Sequence, residues 1–386
     1  MTWILRISSR IFSRFDLWTQ VVFALSQIRP STRLGENFRL RFAYACLMGR
    51  DRPRIRRAFA GMLRRDLDIS ATHNLWLAFT AGCLGCQNLA VLIFKKTAAR
   101  NRGTAEAVIA EREAMFVASL VNGSLAQQLA NMLYPICSAP STDEPVIVVP
   151  FGGQYSPLFQ LWKQQLDRHA KGRLVVLAMD EQAREIAQEY GACDIVDLSP
   201  YFGFDAAGRV EDFSKRHLWV LRVLVLNEMI SRGQTVISLD LDAVLVGDLE
   251  PMLQSMPDAD IVAQRDYSIP VDVARKLGFV LCCGFMRIRS NPATIRFMHS
   301  YATQAILEMD DQTSLNHLLV EAGVQNFIST NSHITFDSAG ISWACPDTSR
   351  VSGDVSYGTV IRHFHPQGQS IGELKKRLGC GDTAGI

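Results

Sequence analysis

A chain of 386 residues that is 48% hydrophobic can bury a substantial core, and its length suggests two domains. No apolar run is long enough for a membrane-spanning helix, which argues against a typical membrane protein. The formal net charge is only +2, but residues 1–65 hold fourteen Arg, no Lys and three acids, a net +11 that leaves −9 for the remainder.

The chain opens with helical periodicity. Ile4, Ile7, Ile11, Phe15, Trp18, Val22 and Leu25 share one face, and Arg6, Arg10 and Arg14 lie on another. These arginines interrupt the apolar run too often for a signal peptide. A basic amphipathic helix of this kind suits peripheral contact with an anionic membrane surface, or docking on its own protein with the arginines in solvent. No recognised nucleic-acid module accompanies the charge, so nucleic acid is not expected as a partner. Residues up to about 135 read as helical, with Ala105–Leu120 and Ser124–Leu133 at amphipathic spacing. Cys83-Leu-Gly-Cys86 falls in the apolar helical stretch Leu75–Phe94 and reads as buried free thiols. Nine cysteines, an odd number, and the lack of a secretory signal point to a reducing cytoplasm, peripheral on the inner face of a membrane if the first helix binds lipid.

The punctuated stretch Cys137–Pro145 marks a boundary between a helical, Arg-rich region over 1–140 and a second domain over 145–386. Strands and helices then alternate. Val146–Val149 is a strand, Leu158–Arg168 a helix, Leu174–Ala178 a strand, Glu181–Tyr190 a helix, and Asp194–Asp197 a short strand. A long helix over Asp212–Ser231 stops at Gly233, and Val236–Leu239 is the next strand. This rhythm predicts an α/β domain with a largely parallel sheet, whose ligands bind outside the carboxyl ends of the strands. Phe151, Gly152, Gly153, Tyr155 and Asp180 occupy such ends and are candidate ligand-binding residues. The two glycines permit close backbone approach to a nucleotide, although their spacing is neither a Walker loop nor a dinucleotide fingerprint.

Asp240-Leu-Asp242 follows the last of these strands. Continued strand geometry would aim both carboxylates at one point, an arrangement that needs a cation between them. A hard divalent ion carrying a phosphate ligand meets that need, so the pair predicts a metal-dependent enzyme acting on a phosphorylated substrate. Two other Asp-x-Asp triplets lack this context. Asp66/Asp68 sits in an arginine-rich helical stretch, and Asp258/Asp260 reads as a solvated turn.

The run from Arg222 through Gly233, Asp240, Asp242 and Asp248 resembles the nucleotide-diphospho-sugar transferases of the GT-A glycosyltransferase fold, with their D-x-D motif. Asp260–Asp266 is similar to the strand after that motif, and Cys283-Gly284-Phe285-Met286 to a further strand of the family. Asp311-Gln312-Thr313-Ser314-Leu315-Asn316 fills every specified position of the family's D-Q-x-x-(L/F)-N. Val360–His365 resembles the C-terminal strand whose histidine closes the metal site. Where the family often carries Asn followed by Ala or Ser, this chain has Cys282 and Cys283.

The resemblance covers about residues 145–370. It implies transfer of a sugar from a nucleoside diphosphate, of UDP type, to a hydroxyl on a glycan, glycolipid or protein. It implies Mn²⁺ or Mg²⁺ held by Asp240, Asp242 and His363 or His365, with the imidazole favouring Mn²⁺. Arg222, Asp240 and Gly284 are then donor-binding, as Lys215 and Arg216 could be from the same helix. Asp311 stands near the anomeric carbon or acceptor hydroxyl, and Gln312 on the sugar hydroxyls. A nucleotidyl or phosphoryl transferase is the alternative enzyme, and a scaffold with a degenerate domain the non-catalytic one.

Overall fold

The computed structural model describes residues 71–363 apart from 84, 139–143, 192–193, 205–209, 211–213, 268–269, 348–350 and 353–358. The amphipathic first helix and His365 lie outside the described residues. Contacts divide the described chain into two units, residues 71–125 with 306–309, and residues 126–305 with 310–363.

The first unit contains α1 (Ala71–Cys83), α2 (Gln87–Arg100) and α3 (Ala105–Val121). Leu75, Phe79, Ile93, Phe94, Phe116 and Leu120 are among its buried side chains. Thr104 caps α3 by accepting the Ala107 N–H. Cys83 and Cys86 are free thiols, as expected, but they straddle the turn between α1 and α2. Gly85, at φ +77°, supplies that break, which the run of apolar residues conceals.

The second unit begins within α4 (Ser124–Cys137) and continues as β1 (Val146–Phe151), α5 (Ser156–His169), β2 (Arg173–Ala178), α6 (Glu181–Glu189) and β3 (Asp194–Asp197). Then follow α7 (Lys215–Ser231), β4 (Val236–Leu239), β5 (Ala243–Leu245), α8 (Leu249–Gln254), β6 (Ile261–Asp266) and α9 (Val271–Leu277). The remainder is β7 (Val280–Ile288), α10 (Pro292–Glu308), α11 (Asp311–Ala322), β8 (Gln325–Ser329), β9 (His333–Ser338), β10 (Ile341–Pro346), β11 (Val351–Ser352) and β12 (Ile361–His363).

Nine strands form one sheet in the order β3-β2-β1-β4-β7-β6-β10-β9-β8. Its pairings leave seven strands running one way, with β7 and β9 reversed. The fold is therefore of the expected α/β class, a mostly parallel mixed sheet flanked by helices. Every residue of β1 is buried, which explains its unbroken apolar run. Helix α5 covers it with Leu158, Phe159, Leu161, Trp162 and Leu166.

A second sheet, β11-β12-β5, branches off where β4 ends. Residues 240–242 join β4 in the large sheet to β5 in the small one, so the chain there faces elements of both. The junction is pinned by Trp162, whose indole N–H donates to the Ala243 carbonyl at 3.1 Å in the buried interior.

Candidate active site

Strand geometry does not continue through Asp240 and Asp242. β4 stops at Leu239, and the Ala243 N–H turns back to the Asp240 carbonyl at 2.9 Å. The turn brings the two carboxylates together by another route. The Asp240 N–H donates to the Gly284 carbonyl of β7 at 2.8 Å, which fixes the start of the turn. Strand β12 pairs antiparallel with β5 and sets His363 opposite Ala243, one residue beyond Asp242. Ligand atoms of Asp240, Asp242 and His363 consequently lie within 4.8 Å of one another. His363 Nε2 is 3.2 Å from Asp242 Oδ1.

Two carboxylate oxygens and an imidazole nitrogen are a donor set that fits a divalent cation such as Mn²⁺ or Mg²⁺. Burial opposes a proton on His363, but the bond to Asp242 and the Cys282 thiol outweigh it and lift the imidazole to about 11.

Beneath this surface lies a buried ion-pair network. Arg222, 5% exposed on α7, donates through Nη1 to Asp240 and through Nε and Nη2 to Asp311, with Nε 3.0 Å from Oδ2. Burial works against the guanidinium charge, yet the two carboxylates hold it well above its ordinary range. Burial pushes Asp311 up, while Arg222 pulls it back only in part. Cys283 and Tyr301 close the floor, Sγ to Oη at 3.4 Å, and burial raises both.

A turn of this kind at the carboxyl edge of a mostly parallel sheet is a ligand-binding place in α/β proteins. Residues 169–359 match the family described as nucleotide-diphospho-sugar transferase. Through this domain the chain belongs to the nucleotide-diphospho-sugar transferase family.

Solved structures similar to this transferase include the galactosyltransferase LgtC, in complex with donor and acceptor sugar analogues. It is 15% identical, with 62% of this chain and 97% of that one covered and a TM-score of 0.39. The bifunctional glycosyltransferase WbbM is 14% identical, over 46% of this chain and 38% of that one, at 0.34. Mouse xyloside xylosyltransferase 1 is 14% identical, over 46% and 82%, at 0.31. No curated protein matches the chain.

Within the transferase domain, Arg222, Asp240, Asp242, Gly284, Asp311 and His363 form one cluster. Gly284 leaves no room for a side chain, because an added Cβ would lie 2.8 Å from both ring nitrogens of His363. Asp311 sits on the buried side of this cluster. Its carboxylate is 4% exposed, facing Arg222 and taking the Gln312 N–H at 2.7 Å, which suits it to holding the arginine. Asp310 is the residue that caps α11, through the Thr313 N–H. Arg216 pairs with Asp310 at 3.5 Å.

The β1 and β2 ends form a second group. Phe151 is 1% exposed and stacked on Phe159 at 4.3 Å, so its ring belongs to the core and not to a donor surface. Asp180 caps α6 through the Ala183 N–H and also accepts the Gly153 N–H at 2.9 Å. This spends both groups on fixing the turn. Gly152 and Gly153 are buried, whereas Tyr155 is exposed at the end of the turn. Asp260 is bound by Asn291 and by the Ser342 N–H, a structural role. Asp248 pairs with His169 at 2.9 Å.

Sequence reasoning passed over Gln264, whose Oε1 lies 2.8 Å from His363 Nδ1. Its one signal was its place in the Asp260–Asp266 strand. Cys283 and Tyr301 carried no signal as partners of Asp311, since only the folded chain joins them.

Proposed function

We propose that this chain is a divalent-metal-dependent glycosyltransferase that moves a sugar from a nucleoside diphosphate, of UDP type, to a hydroxyl on a glycan, glycolipid or protein. The observation that carries the reading is the convergence of Asp240, Asp242 and His363 at the carboxyl edge of a sheet in a transferase-family domain. In the reaction the bond between the anomeric carbon and the diphosphate oxygen breaks. A bond to the acceptor oxygen forms, and the acceptor hydroxyl loses its proton. When bound, the ion supplies Lewis-acid stabilisation of the leaving diphosphate's charge.

The protein's own residues supply order. Asp242, in the turn before β5, and His363, on the neighbouring β12, face each other at 3.2 Å. Arg222 holds Asp240 by Oδ1. Gln312 follows the buried Asp311 on α11 and is the candidate for contact with sugar hydroxyls, and Tyr155 is the exposed candidate at the β1 turn. Such preorganised charge costs no rearrangement as the bond breaks.

In this reading residues 145–386 are the transferase domain. No helix among the described residues is long and apolar enough to cross a membrane. The basic N-terminal segment is then a candidate for peripheral contact with anionic lipid, which would place a lipid-linked acceptor within reach. Flotation with anionic liposomes at low salt tests that part, and absence of binding would remove it.

Equilibrium dialysis of UDP and other nucleoside diphosphates, with and without Mn²⁺, tests the donor site. The expected result is tighter binding of one nucleotide when Mn²⁺ is present, and equal binding in both conditions contradicts it.

A further inference from the structure

Gln264 of β6 touches the imidazole of the cluster from the side away from Asp242. A neutral imidazole carries one N–H and one lone pair, and the partner of one nitrogen decides which of them faces a metal. In this protein Nδ1 of His363 meets the side-chain oxygen of Gln264 at 2.8 Å, while Nε2 faces Asp242 at 3.2 Å. An amide oxygen is an acceptor only, so it keeps the proton on Nδ1 and leaves the lone pair of the neutral ring on Nε2.

The backbone is shaped to make this contact. β6 and β7 pair regularly as far as Ala263 opposite Met286, and then Gln264 stands opposite Cys282. Three residues of β7, Cys283 to Phe285, are thus passed over, a bulge of the kind that re-aims side chains beside active sites. Gly284 lies at its centre, where the absence of a Cβ lets the His363 ring rest against the strand. The competing acceptor for Nδ1 is the Cys282 thiol, at the longer distance of 3.9 Å and weaker in kind.

We propose that Gln264 is the positioning residue of this centre, its side-chain oxygen holding His363 in the tautomer and orientation that present Nε2 to a divalent cation. The proposal rests on the metal-site reading above. It predicts that Gln264 sets metal affinity without touching the metal, as carboxylate and carbonyl partners of ligating histidines do elsewhere.

Calorimetric titration of the full chain with Mn²⁺ alone tests it. Gln264→Met, which keeps the side chain's length and removes the acceptor, should lower affinity about 10- to 100-fold. Gln264→Glu should retain it, because a carboxylate accepts the same proton. Wild-type affinity in Gln264→Met, with affinity lost in His363→Ala, overturns the proposal and leaves the metal site standing. Wild-type affinity in both His363→Ala and Asp242→Ala sinks the site reading itself. A histidine-selective nitrogen spectrum of the unaltered chain loaded with Mg²⁺ needs no variant to fold. Protonation of His363 at Nδ1 is expected, and protonation at Nε2 refutes the assignment.

Discussion

Arg222 is the residue on which the site's floor depends, because it neutralises a carboxylate that has no solvent to turn to. Removing one partner of a buried pair costs about 3–5 kcal/mol, whereas replacing both by apolar groups can be neutral. Arg222→Met should therefore destabilise by that order in urea unfolding. The double variant Arg222→Met, Asp311→Leu should recover a large part of the loss, and a purely additive double variant would contradict the pairing. Gly284→Ala probes the adjoining contact. The added methyl must displace the His363 ring, an overpacking cost of about 1–3 kcal/mol. Thermal melting should show that loss, and an unchanged melting temperature would mean the ring rests elsewhere. Asp240 and Asp242 were legible in the sequence because a strand of known type delivers them. The burial of Asp311 was not, since Arg222 stands 89 residues away and no local pattern joins them.

At the scale of elements, the parallel half of the sheet was legible and the far edge was not. β1, β2 and β4 are largely apolar runs and β3 a short Ile-Val pair between aspartates, and all four fall close to their expected limits. The β8–β9–β10 edge went unread, although β9 alternates buried and half-buried positions over His333–Ser338 as a one-sided strand should. Its hairpin turns on Ala339 and Gly340, both at positive φ, and alanine is a poor announcement of such a turn. β5 and β12 are three residues each, too short to carry a period. Asp180 shows how one side chain serves two elements, capping α6 while holding the turn after β1. Asp180→Ala should cost about 0.5–2 kcal/mol from the cap alone, read by chemical denaturation. A change below that range would show that the Gly153 contact and the cap are both replaceable.

At the scale of the whole molecule, the chain joins a helical unit to an α/β unit, and the transferase chemistry is assigned to the second. The family match and the Asp240, Asp242 and His363 cluster lie in that unit. The central claim is metal-assisted cleavage of a nucleotide sugar, and transferases of this chemistry can pass the sugar slowly to water when no acceptor is present. The most direct measurement is release of nucleoside diphosphate from a panel of nucleotide sugars by the purified chain, with and without Mn²⁺. The account predicts Mn²⁺-dependent release from one donor and its loss in Asp242→Ala. Release that ignores both the metal and the substitution, or none from any donor, would contradict it.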